Sequence, residues 1–236
     1  MAVTQRIGLI GGLSWEATAC YYRYFNQFYA GPSTWSQPPV LVDSLDMAEI
    51  VTLQRAGDWD RTGEILSESA RRLVAGGASV IGIGANTMHL NYDEVNSAVQ
   101  CPVVDIRACV AHAVKALAGT SVGVLGTKYV IEHDFYARGI TAHGVAVVLP
   151  DAVATTELQR IIYDELTQGV LLDTSRDTLL EIGASLVARG ADVLGLCCTE
   201  FGLLVSEDDE SFSVVDSTKA HVRALLSALE SRQEPA

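Results

Sequence analysis

Short apolar runs that end in glycine or small polar residues alternate along this chain with stretches whose apolar positions recur at three- and four-residue spacing. Ile7-Gly8-Leu9-Ile10-Gly11-Gly12 and Val122-Gly123-Val124-Leu125-Gly126-Thr127 read as buried strands closed by small-residue turns. Thr62 to Val74 and Ser175 to Ala188 carry the helical spacing. Continuous apolar strands interleaved with amphipathic helices are the pattern of parallel sheets covered on both faces and joined by right-handed crossovers.

The pattern occurs twice. The first strand pair above is followed, in the same order, by Gly77-Ala78-Ser79-Val80-Ile81-Gly82-Ile83-Gly84-Ala85-Asn86 and Gly190-Ala191-Asp192-Val193-Leu194-Gly195-Leu196-Cys197-Cys198-Thr199. Val103-Val104-Asp105 and Val214-Val215-Asp216 then follow, each leading into a helical pattern, the second running from Thr218 to Leu229. The expected fold class is therefore α/β, with two pseudo-symmetric lobes of about four strands each, arising by internal duplication. The closing strand and helix of each half are expected to pack on the other. That places residues 1–99 with 212–236 in the first lobe and residues 100–211 in the second.

Composition narrows the function. The 236 residues are 49% hydrophobic, enough for two ordinary cores, and no apolar stretch is long enough to span a bilayer. Met1 to Arg6 lack the pattern of a secretory signal, so the expected location is cytoplasmic. Sixteen basic against twenty-nine acidic residues leave a net charge of −13, which argues against nucleic acid as a partner. The five cysteines are an odd number, and the adjacent Cys197 and Cys198 lack the spacing of a zinc pair, so neither disulfides nor metal are expected.

In open parallel sheets ligands collect at the carboxyl ends of the strands, where loops and helix N-termini gather. Cys198 falls at such an end, and backbone amides at a following helix start would favour its thiolate. A small buried hydrophobe is the other reading of that cysteine. Ala85 is the mirror position, expected to face Cys198 across one cleft. Cys20, Cys101, Cys109 and Cys197 sit in apolar patterns as packing residues, and His89, although near the expected cleft, reads as a solvated or packing histidine. The Gly8 to Gly12 turn lacks dinucleotide spacing, and no Gly-x-Ser-x-Gly elbow occurs.

Gly11-Gly12-Leu13-Ser14-Trp15-Glu16, Asn86-Thr87-Met88-His89 and Cys198-Thr199-Glu200 resemble the aspartate/glutamate racemase superfamily. So do Leu53 to Trp59, Gly126-Thr127-Lys128-Tyr129 and Gly202-Leu203-Leu204, which look like its bacterial branch acting on acidic amino acids. The resemblance implies proton transfer at the α-carbon without pyridoxal phosphate or any other cofactor, no metal, a small carboxylate or acidic amino acid as substrate, and a homodimer. In that family a cysteine from each lobe serves one face of the substrate. Carried over, Cys198 is the second-lobe thiol, and the first-lobe thiol is replaced by Ala85, which implies a bias to the L-face. Ser14, Gln54, Asn86, Thr87, Thr127 and Thr199 take the positions of substrate contacts, and Arg160 that of a clamp on the distal carboxylate or of a solvated helix arginine. With one thiol, an arylmalonate-type decarboxylase and a non-catalytic carboxylate binder are the alternative readings.

Overall fold

The computed structural model describes residues 5–207 and 212–231. Its first elements are β1 (Ile7–Gly11), α1 (Trp15–Phe28), β2 (Val40–Ser44), α2 (Met47–Ala56), α3 (Trp59–Ala75), β3 (Val80–Ile83), a 3₁₀ turn (Thr87–Asn91), α4 (Tyr92–Ala98) and β4 (Val103–Val104). The pattern then restarts with α5 (Ile106–Ala116), β5 (Ser121–Gly126), α6 (Lys128–Glu132), α7 (Asp134–Thr141), β6 (Ala146–Val148) and α8 (Ala152–Arg160). A π turn (Ile161–Glu165), a 3₁₀ turn (Leu166–Gln168), α9 (Asp173–Ala188), β7 (Val193–Cys197), a 3₁₀ turn (Thr199–Leu203), β8 (Val214–Asp216) and α10 (Ser217–Glu230) complete it.

The strands form two four-stranded sheets of identical topology, β2-β1-β3-β4 and β6-β5-β7-β8, with every pairing parallel. This is the expected α/β duplication. The central strands β1, β3, β5 and β7 are buried at every position, which is why they read as continuous apolar runs. The edge strands β2 and β6 are partly exposed and left no such signal. Gly8 and Gly123 repeat for a packing reason: a Cβ at either would press within 2.6 Å of Ile81 and 2.9 Å of Leu186 respectively.

Helix starts are capped by side chains that satisfy otherwise orphaned amides. Asp46, Asp58 and Asp151 accept from Ala48, Arg61 and Ala154 at 2.9–3.1 Å. In the first sheet's unit, Ile10, Leu66, Leu73, Ile81 and Ile83 form one core and Ile7, Leu9, Tyr21 and Phe25 another, the latter closed by Val222, Leu225 and Leu229 of α10. The second unit's core gathers Leu125, Leu158, Ile161, Leu194 and Leu196 with Cys198 and Phe201.

The compact units run 1–105 with 221–236, and 106–220. The chain changes unit after each closing strand, and not ahead of it at 99/100 and 211/212. The physical reason is strand pairing: β4 is held by β3 and β8 by β7, so only the helical segments that follow are exchanged. Among the described residues no helix is long and apolar enough to cross a membrane.

Two left-handed glycines give a contrast. A Cβ at Gly57 (φ +72) meets nothing within 4 Å, whereas one at Gly12 (φ +71) would fall 2.1 Å from the Leu45 carbonyl oxygen. Gly57→Ala is expected to cost about 1 kcal/mol of left-handed strain, a fall of roughly 2–4 °C in Tm for a chain of this size. Gly12→Ala adds a backbone clash and is expected to cost at least about 3 kcal/mol. Thermal melts of both variants check this, and equal losses would contradict it.

Candidate active site

Each unit presents its turns at the carboxyl edge of its own sheet. In the first unit β1 and β3 run side by side, with Ile10 opposite Ile83, so the turns they lead into, Gly11 to Ser14 and Gly84 to Thr87, are neighbours. The Gly84 amide donates to the Ile10 carbonyl at 2.9 Å, and the Gly12 amide to the Thr18 hydroxyl at 2.9 Å. Ser14 is buried and caps α1, accepting from the Ala17 amide at 3.1 Å, with its own backbone at φ 143. Gln54, on α2, is buried with its amide nitrogen 3.9 Å from the Met88 sulfur. Asn86 and Thr87 are buried, and Ala85 is partly so.

The Ala85 carbonyl is held from within the same unit. His89 Nδ1 lies 2.9 Å from it and donates, since a carbonyl only accepts. His89 stacks on Tyr92 and meets His221 edge to face at 5.7 Å. His221 Nε2 donates to the Val104 carbonyl at 3.0 Å, which leaves Nδ1 to accept from the Tyr21 hydroxyl at 2.7 Å. Burial, then the charge of His89, push His221 down to about 3, so this ring is neutral. His89 is thus a packing and positioning residue.

In the second unit the register Gly126 to Cys197 sets Thr127 and Cys198 beside one another at the ends of β5 and β7. Thr127 caps α6, accepting from the Val130 amide at 3.3 Å. Ser217, past the end of β8, donates to the Leu196 carbonyl at 2.7 Å. Asp216 accepts from the Thr218 and Lys219 amides and is pushed up to about 6, burial outweighing those bonds. Cys197 is wholly buried and pushed up to about 12 by that burial, with a hydrogen bond from Tyr136 pulling the other way.

Cys198 is 6% exposed, and its thiol donates to Glu200 Oε2 at 3.1 Å. The Thr199 hydroxyl donates to the same oxygen at 2.5 Å. Burial, then the Glu200 charge, hold Cys198 well above the ordinary thiol value. This corrects the expectation of a thiolate favoured by helix amides: the turn that follows is one 3₁₀ turn, and a buried carboxylate sits where an anion-stabilising field was expected. Glu200 is the functional candidate that sequence reasoning passed over, although its place two residues after the cysteine was the available signal.

Arg160 ends α8, apart from these turns in role. Its Nε and Nη2 bind Glu157 at 2.8–3.1 Å and its Nη1 binds Glu165 at 2.6 Å. The two carboxylates raise its pKa further. Its Nε and both Nη nitrogens are thus each already engaged by a carboxylate of the same segment. The preceding residue, Gln159, accepts from the Lys128 amide at 3.0 Å, tying the end of α8 to the start of α6. Among the described residues no three His, Cys, Asp or Glu converge to hold a metal ion.

Comparison with known proteins follows the same lines. The sequence model of the Asp/Glu/Hydantoin racemase family matches residues 10–225. The chain is similar to a candidate Asp/Glu racemase from Yersinia pestis, with 36% identity, TM-score 0.87, and coverage of 96% of this chain and 99% of that one. It is similar to an aspartate racemase homologue from Pyrococcus horikoshii OT3, with 30% identity, TM-score 0.82, and coverage of 96% and 99%. A broad specificity amino-acid racemase, RacX of Bacillus subtilis (strain 168), is 21% identical over 94% of this chain and 96% of its own length. The chain belongs to the Asp/Glu/Hydantoin racemase family and is a racemase-type isomerase.

Proposed function

We propose that the chain moves the α-proton of an acidic amino acid without a cofactor, with Cys198 as its only thiol acid–base group and a bias to the L-face. The observation that carries this reading is the buried hydrogen bond from Cys198 to Glu200. Family membership supports it, as do relatives named as an aspartate racemase homologue and a broad specificity amino-acid racemase.

The pair has a simple charge logic. Passing the thiol proton to Glu200 yields a thiolate and a neutral carboxylic acid, so the buried site holds one negative charge before and after. The thiolate then takes the α-proton, the C–H electron pair stays on carbon, the S–H hydrogen exchanges with solvent, and the same sulfur returns a solvent-derived proton. An amino-acid α-proton is a weak acid, so the carbanion needs preorganised donors. Thr127 and Thr199 hydroxyls and turn amides are proposed for this, with Ser14, Gln54, Asn86 and Thr87 as further substrate contacts. Ala85 offers no ionisable atom, so inversion lacks the second acid.

In heavy water, L-aspartate or L-glutamate is expected to take up α-deuterium faster than it inverts. Cys198→Ala should lower that exchange by roughly 10²–10⁴-fold, the range of general acid–base contributions. Absence of exchange with either enantiomer sinks the reading. A lone proton donor also suits a lyase, so carbon dioxide release from substituted malonates is measured alongside; release without amino-acid exchange would move the assignment there. Melting shifts by carboxylates that survive Cys198→Ala, with no turnover, would make the chain a binder.

Ala85→Cys restores a thiol at the mirror position and is expected to raise inversion of both enantiomers at least tenfold, given the ~10²–10⁴-fold scale of one acid–base group. Polarimetry in both directions reads the gain.

Glu200→Gln separates the two roles of Glu200. Removing the negative charge lets the Cys198 pKa fall, so thiolate absorbance, corrected with Cys198→Ala, should appear at lower pH than in the parent. Exchange should still slow, because the proton acceptor is gone. An upward movement of the thiolate transition would contradict the assignment.

A further inference from the structure

The sequence resemblance sets Arg160 where a clamp on the substrate's distal carboxylate is expected, yet the structure gives its guanidinium other partners. One edge is taken by Glu157 and the third nitrogen by Glu165. Glu165 is five residues further on. In a regular α-helix positions i and i+5 point well apart. The π turn Ile161–Glu165 changes this: its closing bond runs from the Leu166 amide to the Ile161 carbonyl, and the wider turn brings residues 160 and 165 onto one side.

Glu165 is buried, at 8% side-chain exposure against 44% for Arg160. Its second oxygen accepts a short hydrogen bond from the Ser175 hydroxyl in the first turn of α9. A buried carboxylate of this kind is costly unless both oxygens are satisfied, so the three residues hold or release together. The turn they fix supplies Ile161, Ile162 and Leu166 to the core that contains Cys198, Phe201 and Val205. The Leu166–Gln168 turn also packs directly on Thr199–Leu203, the turn that Cys198 opens.

We infer that Arg160, Glu165 and Ser175 form a positioning clamp that sets the Cys198 turn through the π turn, and that Arg160 is not a ligand of the substrate's side chain. The inference rests on the proposed role of Cys198. It also reassigns specificity: selection of an acidic over a neutral side chain does not come from this guanidinium.

The test compares glutamate with glutamine, and aspartate with asparagine, in the α-deuterium exchange assay. Arg160→Gln, Glu165→Gln and Ser175→Ala are expected to lower kcat for acid and amide alike by roughly tenfold to a hundredfold, the scale on which a ~1 Å misplacement acts. KM should change by less than about threefold, and Arg160→Lys should recover part of the loss by keeping a charge against Glu165. If Arg160→Gln raises KM for the diacids alone while Glu165→Gln leaves kcat unchanged, Arg160 is a substrate ligand and the clamp is refuted.

A second readout needs no turnover. Alkylation of Cys198 by iodoacetamide, followed by peptide mass mapping, should quicken at least about tenfold in Glu165→Gln and Ser175→Ala as the turn opens to water. Thermal melts confirm that each variant is folded, with Ser175→Ala the milder change. Unchanged alkylation in folded variants overturns the clamp. Loss of exchange in the parent protein, with alkylation still responding, would strike the proposed reaction and leave the clamp standing.

Discussion

Parallel pairing of β5 with β7 is the constraint on which the second unit's chemistry depends. Because every strand runs the same way, all turns that follow the strands collect at one edge. The register Gly126 to Cys197 then decides which cysteine reaches that edge beside Thr127. Side chains alternate along a strand, so a slip of one residue would exchange the surroundings of Cys197 and Cys198. Cys197 lies wholly buried with Tyr136 for company, while Cys198 meets a carboxylate. Two neighbouring cysteines thus differ in chemistry because one ends a buried strand and the other opens the 3₁₀ turn that carries Glu200.

Much of this was readable in the residues, and for identifiable reasons. Central strands buried on both faces must be apolar throughout, so β1, β3, β5 and β7 stood out, and their repetition exposed the duplication. Edge strands β2 and β6 pair on one side only and carry Asp43, Ser44 and Ala146 at exposed or partly exposed positions, so periodicity missed them. The chain's change of unit was harder still. It depends on which partner the apolar face of α10 covers, and Val222, Leu225 and Leu229 would suit any sheet.

Side-chain partnerships were legible only where they are local in a regular element. Glu200 follows Cys198 by two residues, but its carboxylate reaches the thiol because the chain turns into a 3₁₀ segment there and does not continue as a strand. Arg160 looked open because helical spacing pairs it with Glu157 alone, a half-exposed contact of modest strength. The π turn that adds Glu165 has no signature in apolar periodicity. The error about the thiolate has the same origin: exposed helix amides lower a thiol pKa, but burial beside an anion raises it more.

The two halves also differ in what holds the turn after the third strand of each sheet. In the first unit the turn after β3 is held by main-chain groups, the Gly84 amide on Ile10 and the Ala85 carbonyl on His89. His89 is in turn packed against His221, which bridges Tyr21 and Val104 as a neutral ring. None of these bonds uses the side chain at position 85. In the second unit the equivalent side chain is a hydrogen-bond donor to Glu200, and the turn around it is packed by residues of the π segment. The first turn is therefore held by its main chain, with the Ala85 methyl only packed against the core, whereas in the second the side chain itself takes part in the hydrogen bonding.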